Sequence, residues 1–166
     1  MSATSLPAST RDFRGGLLLL SLLIVVSDRL SKWLVAKKID LGSAVTVIPH
    51  VFRISHVENQ GAAFSLFDNS ASPTRVRWML LIFSLLAALV ILFFLLKLGR
   101  KLSATSIALA LILGGALGNA YDRLRFGFVV DFLEVHIIHY HWPDFNVADS
   151  AIVIGGLLLL LDAVRE

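Results

Sequence analysis

The chain has 166 residues, of which 57% are hydrophobic and 16% charged, and its mean hydropathy is +0.80. A soluble domain carries about 25% charged residues, so this composition excludes a soluble globular domain and indicates a single-domain membrane protein. The net charge of +3 does not indicate nucleic-acid binding, because the cations are scattered among apolar segments and form no basic stripe. The absence of cysteine excludes disulfides, thiolate metal sites and cysteine nucleophiles.

The N-terminal third begins with a polar segment, 1–14, that we interpret as a cytoplasmic tail. The apolar run at 17–26 resembles a signal-peptide core, but no small-residue cleavage site follows and the helical pattern continues. Twenty helical residues span about 30 Å, so we predict a first transmembrane helix over 16–37. Asp28 and Lys32 share a face of this helix, which predicts an internal ion pair or a support for an active site.

Residues 38–73 differ in kind, because Val, Ile and Phe alternate with polar residues and Pro49 interrupts the pattern. Such alternation predicts β-strands, and Gly61 marks a turn in the polar stretch that follows. A bare sheet edge is unstable in lipid, so we expect a small sheet resting on the outer face of the membrane.

Three more apolar segments are long enough to span the bilayer: 78–96, 102–120 and 147–164. The basic turn at 97–101 belongs on the cytoplasmic side, and Gly114 and Gly118 form a G-x-x-x-G pattern that lets helices approach closely. Four spans leave 38–73 and 121–146 outside, with both termini in the cytoplasm.

The outer segment 121–146 contains residues of types that bind metals: Glu134, His136, His139, His141 and Asp144. Their spacing contains no H-E-x-x-H motif and is unspecific. With Tyr140 and Trp142 at headgroup level, we favour an interfacial loop or helix and expect no metal. A serine–lysine dyad of Ser31 and Lys32 is also disfavoured, because adjacent helical residues do not face each other.

Paired carboxylates remain as the catalytic option, since a carboxylate in a bilayer costs about 2.5–3.5 kcal/mol and usually marks function. Two carboxylates that share a site cannot both ionise easily, so one stays protonated as an acid while the other activates water.

Asp131 and Asp149 form the better pair among the three aspartates of this region. Asp131 lies in an apolar run that favours the protonated acid, whereas Asp149 occupies the third helical position if Asn146 caps the last helix. Asp122 is followed by Arg123 and Arg125, which predicts an ion pair instead. We hypothesise that Asp149 is the base and Asp131 the acid. Three asparagines and one arginine can hold an extended peptide: Asn59, Asn119, Asn146 and Arg123.

Five motifs in order carry a resemblance: D-R-L-S-K at 28–32, N-Q-G-A-A-F at 59–64, G-N-A-Y-D-R at 118–123, V-V-D-F at 129–132 and F-N-V-A-D-S at 145–150. With four apolar segments, they make the chain resemble lipoprotein signal peptidases (signal peptidase II) over nearly its whole length. Two positions depart from the family's pattern, Arg29 where Gln is common and Gln60 where Thr is common, and these affect only the shape of the cradle loop.

The resemblance implies a four-helix integral membrane protein of the bacterial inner membrane, with a periplasmic β-cradle at 38–73. It implies an aspartic endopeptidase that needs no cofactor and cleaves diacylglyceryl-modified prolipoproteins N-terminal to the lipidated cysteine. It also implies inhibition by globomycin. We further expect contact with membrane lipids and a monomeric state. The family's catalytic positions fall on Asp131 and Asp149. Its supporting positions fall on Asp28, Lys32, Asn59, Gly61, Asn119, Asp122, Arg123, Asn146 and Ala148.

Two other classes of membrane protein fit less well. A transporter would place charged groups near the middle of the bilayer and often shows inverted repeats, whereas here the acids cluster at one face. Another intramembrane aspartyl protease would carry one aspartate in a G-x-G-D context, which neither Asp131 nor Asp149 has.

Overall fold

The computed structural model of the chain describes residues 12–61, 72–138 and 140–165. The helices in these residues are α1 (Arg14–Lys38), α2 (Pro73–Leu98), α3 (Ala104–Arg125) and α4 (Val147–Arg165). The strands are β1 (Ala44–Ile48), β2 (Phe52–Asn59), β3 (Val129–Ile137) and β4 (Tyr140–Phe145). Part of the predicted tail and residues 62–71 of the predicted cradle lie outside the described residues.

Helix α3 is the centre of the bundle and packs against all three other helices. Its small residues allow this, because a Cβ on Gly114 would lie 2.7 Å from the Ser21 carbonyl oxygen of α1. A Cβ on Gly115 would lie 2.3 Å from the Ala148 carbonyl oxygen of α4. Leu and Ala side chains of α1, α2 and α3 fill the apolar core beside this contact.

Three helices are long and apolar enough to cross a membrane: Thr74–Leu98, Ala104–Arg125 and Val147–Arg165. Many large apolar side chains of α2 face outward, with Phe83 71% and Leu89 64% exposed, which is the surface expected of a protein in lipid. The chain is therefore a membrane protein. Helix α1, which contains the predicted span 16–37, is 25 residues long but carries Asp28, Arg29 and Lys32.

One end of the bundle collects the basic turn and two helix ends. A Cβ on Gly99, at the end of α2, would lie 3.3 Å from the side chain of Arg14 at the start of α1. Thr105, in the first turn of α3, donates a hydrogen bond from its hydroxyl to Asp162 near the end of α4. The sheet is connected to the other ends of the helices, because β1 follows the end of α1, and β3 and β4 join the end of α3 to the start of α4. It therefore lies at the opposite end of the bundle.

The sheet contains four antiparallel strands in the order β1-β2-β3-β4. This corrects the predicted secondary structure of 121–146, most of which forms strands and not a loop or a helix. Helix α3 continues to Arg125, five residues beyond the predicted 120, and the remainder forms β3 and β4. Pairing with β2 explains the difference, because β3 forms hydrogen bonds with the backbone N–H and C=O groups of that strand. Its β-branched residues also favour a strand.

Helix packing around Gly115 gives a test of the fold. Gly115→Ala should destabilise the protein by about 1–3 kcal/mol or more, because the added methyl group meets backbone that cannot move freely. Gly156→Ala in α4 is the matched control, because nothing lies within 4 Å of a Cβ there. Thermal unfolding in detergent measures both variants, and an equal melting temperature for the two would contradict the described packing.

Candidate active site

Asp131 lies on β3, where the β2–β3 register brings it beside Asn59. The side chain of Asp131 is buried, and Asn59 Nδ2 donates to its Oδ2 at 2.9 Å. Asn146 Nδ2 donates to Oδ1 of the same carboxyl at 2.7 Å. Both oxygens of Asp131 therefore accept a hydrogen bond from an asparagine.

Asp149 lies in the first turn of α4 and takes part in the helix cap. Asn146 Oδ1 accepts a hydrogen bond from the Asp149 backbone N–H at 2.9 Å, and Asp149 Oδ2 accepts one from the Asn146 backbone N–H at 3.3 Å. This reciprocal pair is a capping box, and it confirms the prediction that Asn146 caps the last helix. Asn119 Nδ2 donates to the other oxygen of Asp149 at 2.7 Å.

The three asparagines have their amide groups oriented by neighbours that can only donate. Lys32 Nζ donates to Asn119 Oδ1 at 3.0 Å, and the Gly61 backbone N–H donates to Asn59 Oδ1 at 2.9 Å. The Asp149 backbone N–H does the same for Asn146. Because each amide oxygen faces a donor, each NH₂ group is directed at an aspartate carboxyl.

A buried charge network lies behind Asn119. Lys32 Nζ is 2.7 Å from Asp28 Oδ2 and 2.8 Å from Asp122 Oδ2, and all three side chains have no exposed surface. Asp28 Oδ1 also accepts a hydrogen bond from the Ala148 backbone N–H at 2.9 Å, which joins α1 to the start of α4. The predicted pairing of Asp28 with Lys32 is therefore present, and the pair is part of the support for the site.

Asp122 has other partners than the sequence indicated. We predicted an ion pair with Arg123 or Arg125, but Asp122 pairs with Lys32 and with Arg29, whose guanidinium contacts Asp122 Oδ1. The reason is that α3 directs this carboxylate into its contact with α1. The role of Arg29 was missed, although two cations beside Asp28 were a visible signal. Its guanidinium carbon also lies 4.9 Å from the Tyr121 ring centroid, and Tyr121 adjoins Asp122.

Arg123 faces the cradle rather than the charge network. Its Nη2 donates to the Gly61 carbonyl oxygen at 3.0 Å, so α3 is tied to the end of β2. Arg123 also lines the cavity that contains the aspartates.

A cavity of about 500 Å³ opens between the sheet and α4. Its polar lining includes Asp131, Asp149, Asn59, Asn119 and Arg123. Its apolar lining is Val129, Trp142, Pro143, Phe145, Ile152, Val153 and Ile154. None of these apolar residues was predicted to line a site, because the sequence does not tell which face of α4 turns to the sheet. Trp142 was expected only at the membrane interface.

The two aspartates differ in their surroundings, since Asp131 is only 3% exposed whereas Asp149 is partly exposed. Burial, reinforced by the negative charge of Asp149, raises the pKa of Asp131 to about 7 despite the hydrogen bonds from Asn59 and Asn146. Asp131 therefore retains its proton up to near-neutral pH, as expected from its apolar sequence neighbours.

The predicted metal-binding residues lie on the other part of the β3–β4 hairpin. Glu134, His136 and His141 come close together there, with Asp144 beside His141. His139 lies outside the described residues.

Apolar helices and a small sheet that together hold two hydrogen-bonded carboxyl groups in one cavity are features of a membrane enzyme. The family described as signal peptidase (SPase) II matches residues 20–165, and the chain belongs to that family. A lipoprotein signal peptidase of Alteromonas mediterranea is 42% identical over 89% of this chain and 79% of its own length. One of Solibacter usitatus is 44% identical over 86% of this chain and 87% of its own length.

Solved structures agree with the fold. Two structures described as bacterial membrane enzymes, both obtained by the in meso method, superpose with TM-scores of 0.83 and 0.81 at 29% identity. The first covers 94% of this chain and 92% of its own, and the second covers 95% and 97%.

Lys32 provides a test of the charge network. Lys32→Met should destabilise the protein by about 3–5 kcal/mol, because it leaves Asp28 and Asp122 buried without their shared cation. Lys37→Met on the exposed face of the same helix is the control and should change stability by no more than about 0.5 kcal/mol. Chemical or thermal unfolding in detergent measures both, and a small effect of Lys32→Met would show that the network is not needed.

The titration of Asp131 provides a second test. Its carboxyl should be protonated below pH of about 7 and ionised above it. Asp149→Asn should lower the pKa of Asp131, because it removes the negative charge that disfavours ionisation. Infrared spectra of the protonated carboxyl band across pH measure this, with Asp131→Asn identifying the band. A pKa that rises or stays constant in Asp149→Asn would show that the two groups do not interact.

Proposed function

We propose that this chain is a membrane aspartic endopeptidase that removes signal peptides from diacylglyceryl-modified prolipoproteins, cleaving N-terminal to the lipidated cysteine. Membership of the signal peptidase II family supports the protease activity. The observation that carries the mechanism is that Asp131 and Asp149 line one cavity and are joined through hydrogen-bonded Asn146.

The proposed chemistry uses the different surroundings of the two aspartates. Asp149 is the more exposed carboxyl and lies in the first turn of α4, where the helix dipole favours the ionised form, so it is the base that takes a proton from the attacking water. Asp131 carries the shared proton and donates it to the carbonyl oxygen of the scissile peptide as negative charge develops there. In the second half, Asp149 gives the proton taken from water to the amine nitrogen as the C–N bond breaks, and Asp131 recovers its proton from a hydroxyl of the tetrahedral intermediate as the new carboxyl group forms. In a coupled pair the resting proton can reside on either residue.

The other polar residues of the cavity position the peptide in this proposal. Arg123 and Asn59 reach the cavity lining and can bind carbonyl groups of an extended chain. Gly61 and Ala148 contribute backbone groups that fix Arg123 and Asp28, while Lys32, Asn119 and Asp122 hold Asp149 in place through the buried network. These are positioning roles rather than catalytic ones.

The substrate is assigned from the relatives' names and from the shape of the cavity. Lipoprotein signal peptidases are the relatives of this chain, and the apolar wall of the cavity includes Val153 and Ile154, which are 60% and 51% exposed. A wall that continues to the lipid-facing surface of α4 suits acyl chains attached to a substrate cysteine. Globomycin is then expected to occupy the same cavity as an inhibitor.

We propose that the protein is a monomer of the bacterial inner membrane with four spans, in which α1 spans the membrane in addition to α2, α3 and α4. The basic turn at 97–101 supports a cytoplasmic position for that end of the bundle, because positive loops are retained inside. The sheet and the cavity at the opposite end then face the periplasm.

Cleavage of a diacylglyceryl-modified prolipoprotein by purified protein tests the proposal. Asp131→Asn and Asp149→Asn should each reduce the cleavage rate at least about 10²-fold, because each removes one partner of general acid–base catalysis. Asp40→Asn, on an exposed segment after α1, is the matched control and should cleave at the wild-type rate.

The assay is run with and without a chelator. Full activity in either dyad variant would contradict the aspartic mechanism, and loss of wild-type activity with chelator would assign the chemistry to a metal instead. Cleavage of an unlipidated substrate at the same rate would contradict the assigned substrate class.

A further inference from the structure

A second cluster of chemically active side chains lies on the β3–β4 hairpin. Glu134, His136 and His141 offer one ligand atom each, and the three atoms all lie within 4.8 Å of one another. His136 and His141 are cross-strand partners, and Glu134 precedes His136 by two residues on the same face of β3. The register of the hairpin therefore brings the three groups together.

We propose that Glu134, His136 and His141 bind one divalent transition-metal ion, and that Zn²⁺ is the best match. Two imidazoles and one carboxylate, with a fourth position left for another donor, form a ligand set that suits zinc. Imidazole nitrogens disfavour Mg²⁺ and Ca²⁺, which prefer oxygen ligands. From the sequence alone we expected no metal here, and the hairpin changes that expectation because it supplies the geometry that the spacing lacked.

The distances already approach those of a coordination sphere. Glu134 Oε1 is 2.8 Å from His136 Nε2 and 3.3 Å from His141 Nε2. Ligands of a tetrahedral zinc ion at ~2.0–2.1 Å lie about 3.3 Å apart, so modest rotations of the side chains suffice. The two imidazoles are free to make them, since their side chains are 31% and 52% exposed, while Glu134 is buried and fixed.

Asp144 is an independent observation that points to a cation. Its Oδ1 is buried and accepts no hydrogen bond from the described residues, although it lies 3.5 Å from His141 Nε2. Its Oδ2 accepts a hydrogen bond from Ser55 Oγ at 2.8 Å, which holds the carboxylate in place. A buried oxygen without a donor is costly, and a metal ion beside it would remove that cost. Asp144 lies outside the three-atom group and is our candidate for the fourth donor.

Arg53 is the competitor for this site. Its Nη1 donates to Glu134 Oε1 at 3.2 Å, and its side chain is 41% exposed. A partly exposed arginine can move further into solvent when a doubly charged ion takes its place, because its ion pair with Glu134 is already in contact with water. The competition predicts that removing this positive charge leaves zinc binding intact or strengthens it.

The proposed ion would stabilise the wall of the cavity and would take no part in the reaction. Asp144 and Trp142 on β4 line the cavity that contains Asp131 and Asp149. A metal bridging β3 and β4 would hold this part of the wall in one position without contacting either catalytic candidate. The metal site stands whether or not the proposed protease activity is confirmed.

Calorimetric titration of the full chain in detergent micelles with Zn²⁺ tests the proposal. The affinity tag is removed first, because a histidine tag binds the same ion. Wild-type protein should bind one Zn²⁺ per chain. The double variant His136→Gln/His141→Gln should bind at least about tenfold more weakly, since even outer-shell partners of a metal site contribute that much.

Two single variants serve as controls. His50→Asn removes the histidine of the turn between β1 and β2, which lines a pocket with His136 but is not one of the three proposed ligands. Its φ of 62° is one that asparagine tolerates, and this variant should bind Zn²⁺ as the wild type does. Arg53→Gln should bind equally or more tightly. Absence of saturable binding to the wild type, or equal binding by the double variant, would overturn the proposal. Thermal unfolding without metal verifies that each variant is folded.

Discussion

The contact of Lys32 with Asp28 and Asp122 is the interaction on which the site depends. Two carboxylates and one ammonium without exposed surface would be unstable together, and Arg29 supplies the second positive charge that balances them. The network joins α1 to α3 directly and to α4 through the Ala148 backbone. Lys32 also donates a hydrogen bond to Asn119, and Asn119 donates one to Asp149. The buried charge network therefore helps to fix the position of Asp149.

The helices could be predicted from the sequence and much of the sheet could not. Long apolar runs predict helices within a few residues, although α2 begins at Pro73 rather than at 78. Strands β1 and β2 were recognisable from their alternation. Strands β3 and β4 were not, because histidine, tyrosine and tryptophan near 136–142 also suit a membrane interface. Only pairing with β2, a contact between residues far apart in the chain, decides between the two structures.

Those features of the candidate site that depend on residues close in sequence could be predicted. The apolar neighbours of Asp131 predicted a carboxyl that holds its proton, and Asn146 three residues before Asp149 predicted the helix cap. The partners of Asp122 could not be found in this way. Arg123 is adjacent in sequence, but the helix turns the two side chains apart, and the true partner, Lys32, belongs to another helix. Long-range partners of charged residues depend on packing, which a single sequence does not contain.

Asn146 links the stability of a helix end to the geometry of the carboxyl pair. Its oxygen caps α4 and its NH₂ group binds Asp131, so fraying of one helical turn would displace Asp149 and remove one of the two hydrogen bonds that Asp131 accepts. Helix ends open more readily than helix centres, and the free energy of that local opening sets how often the pair is assembled. The first turn of α4 thus couples the two aspartates, because its opening displaces Asp149 and leaves Asp131 with only the hydrogen bond from Asn59.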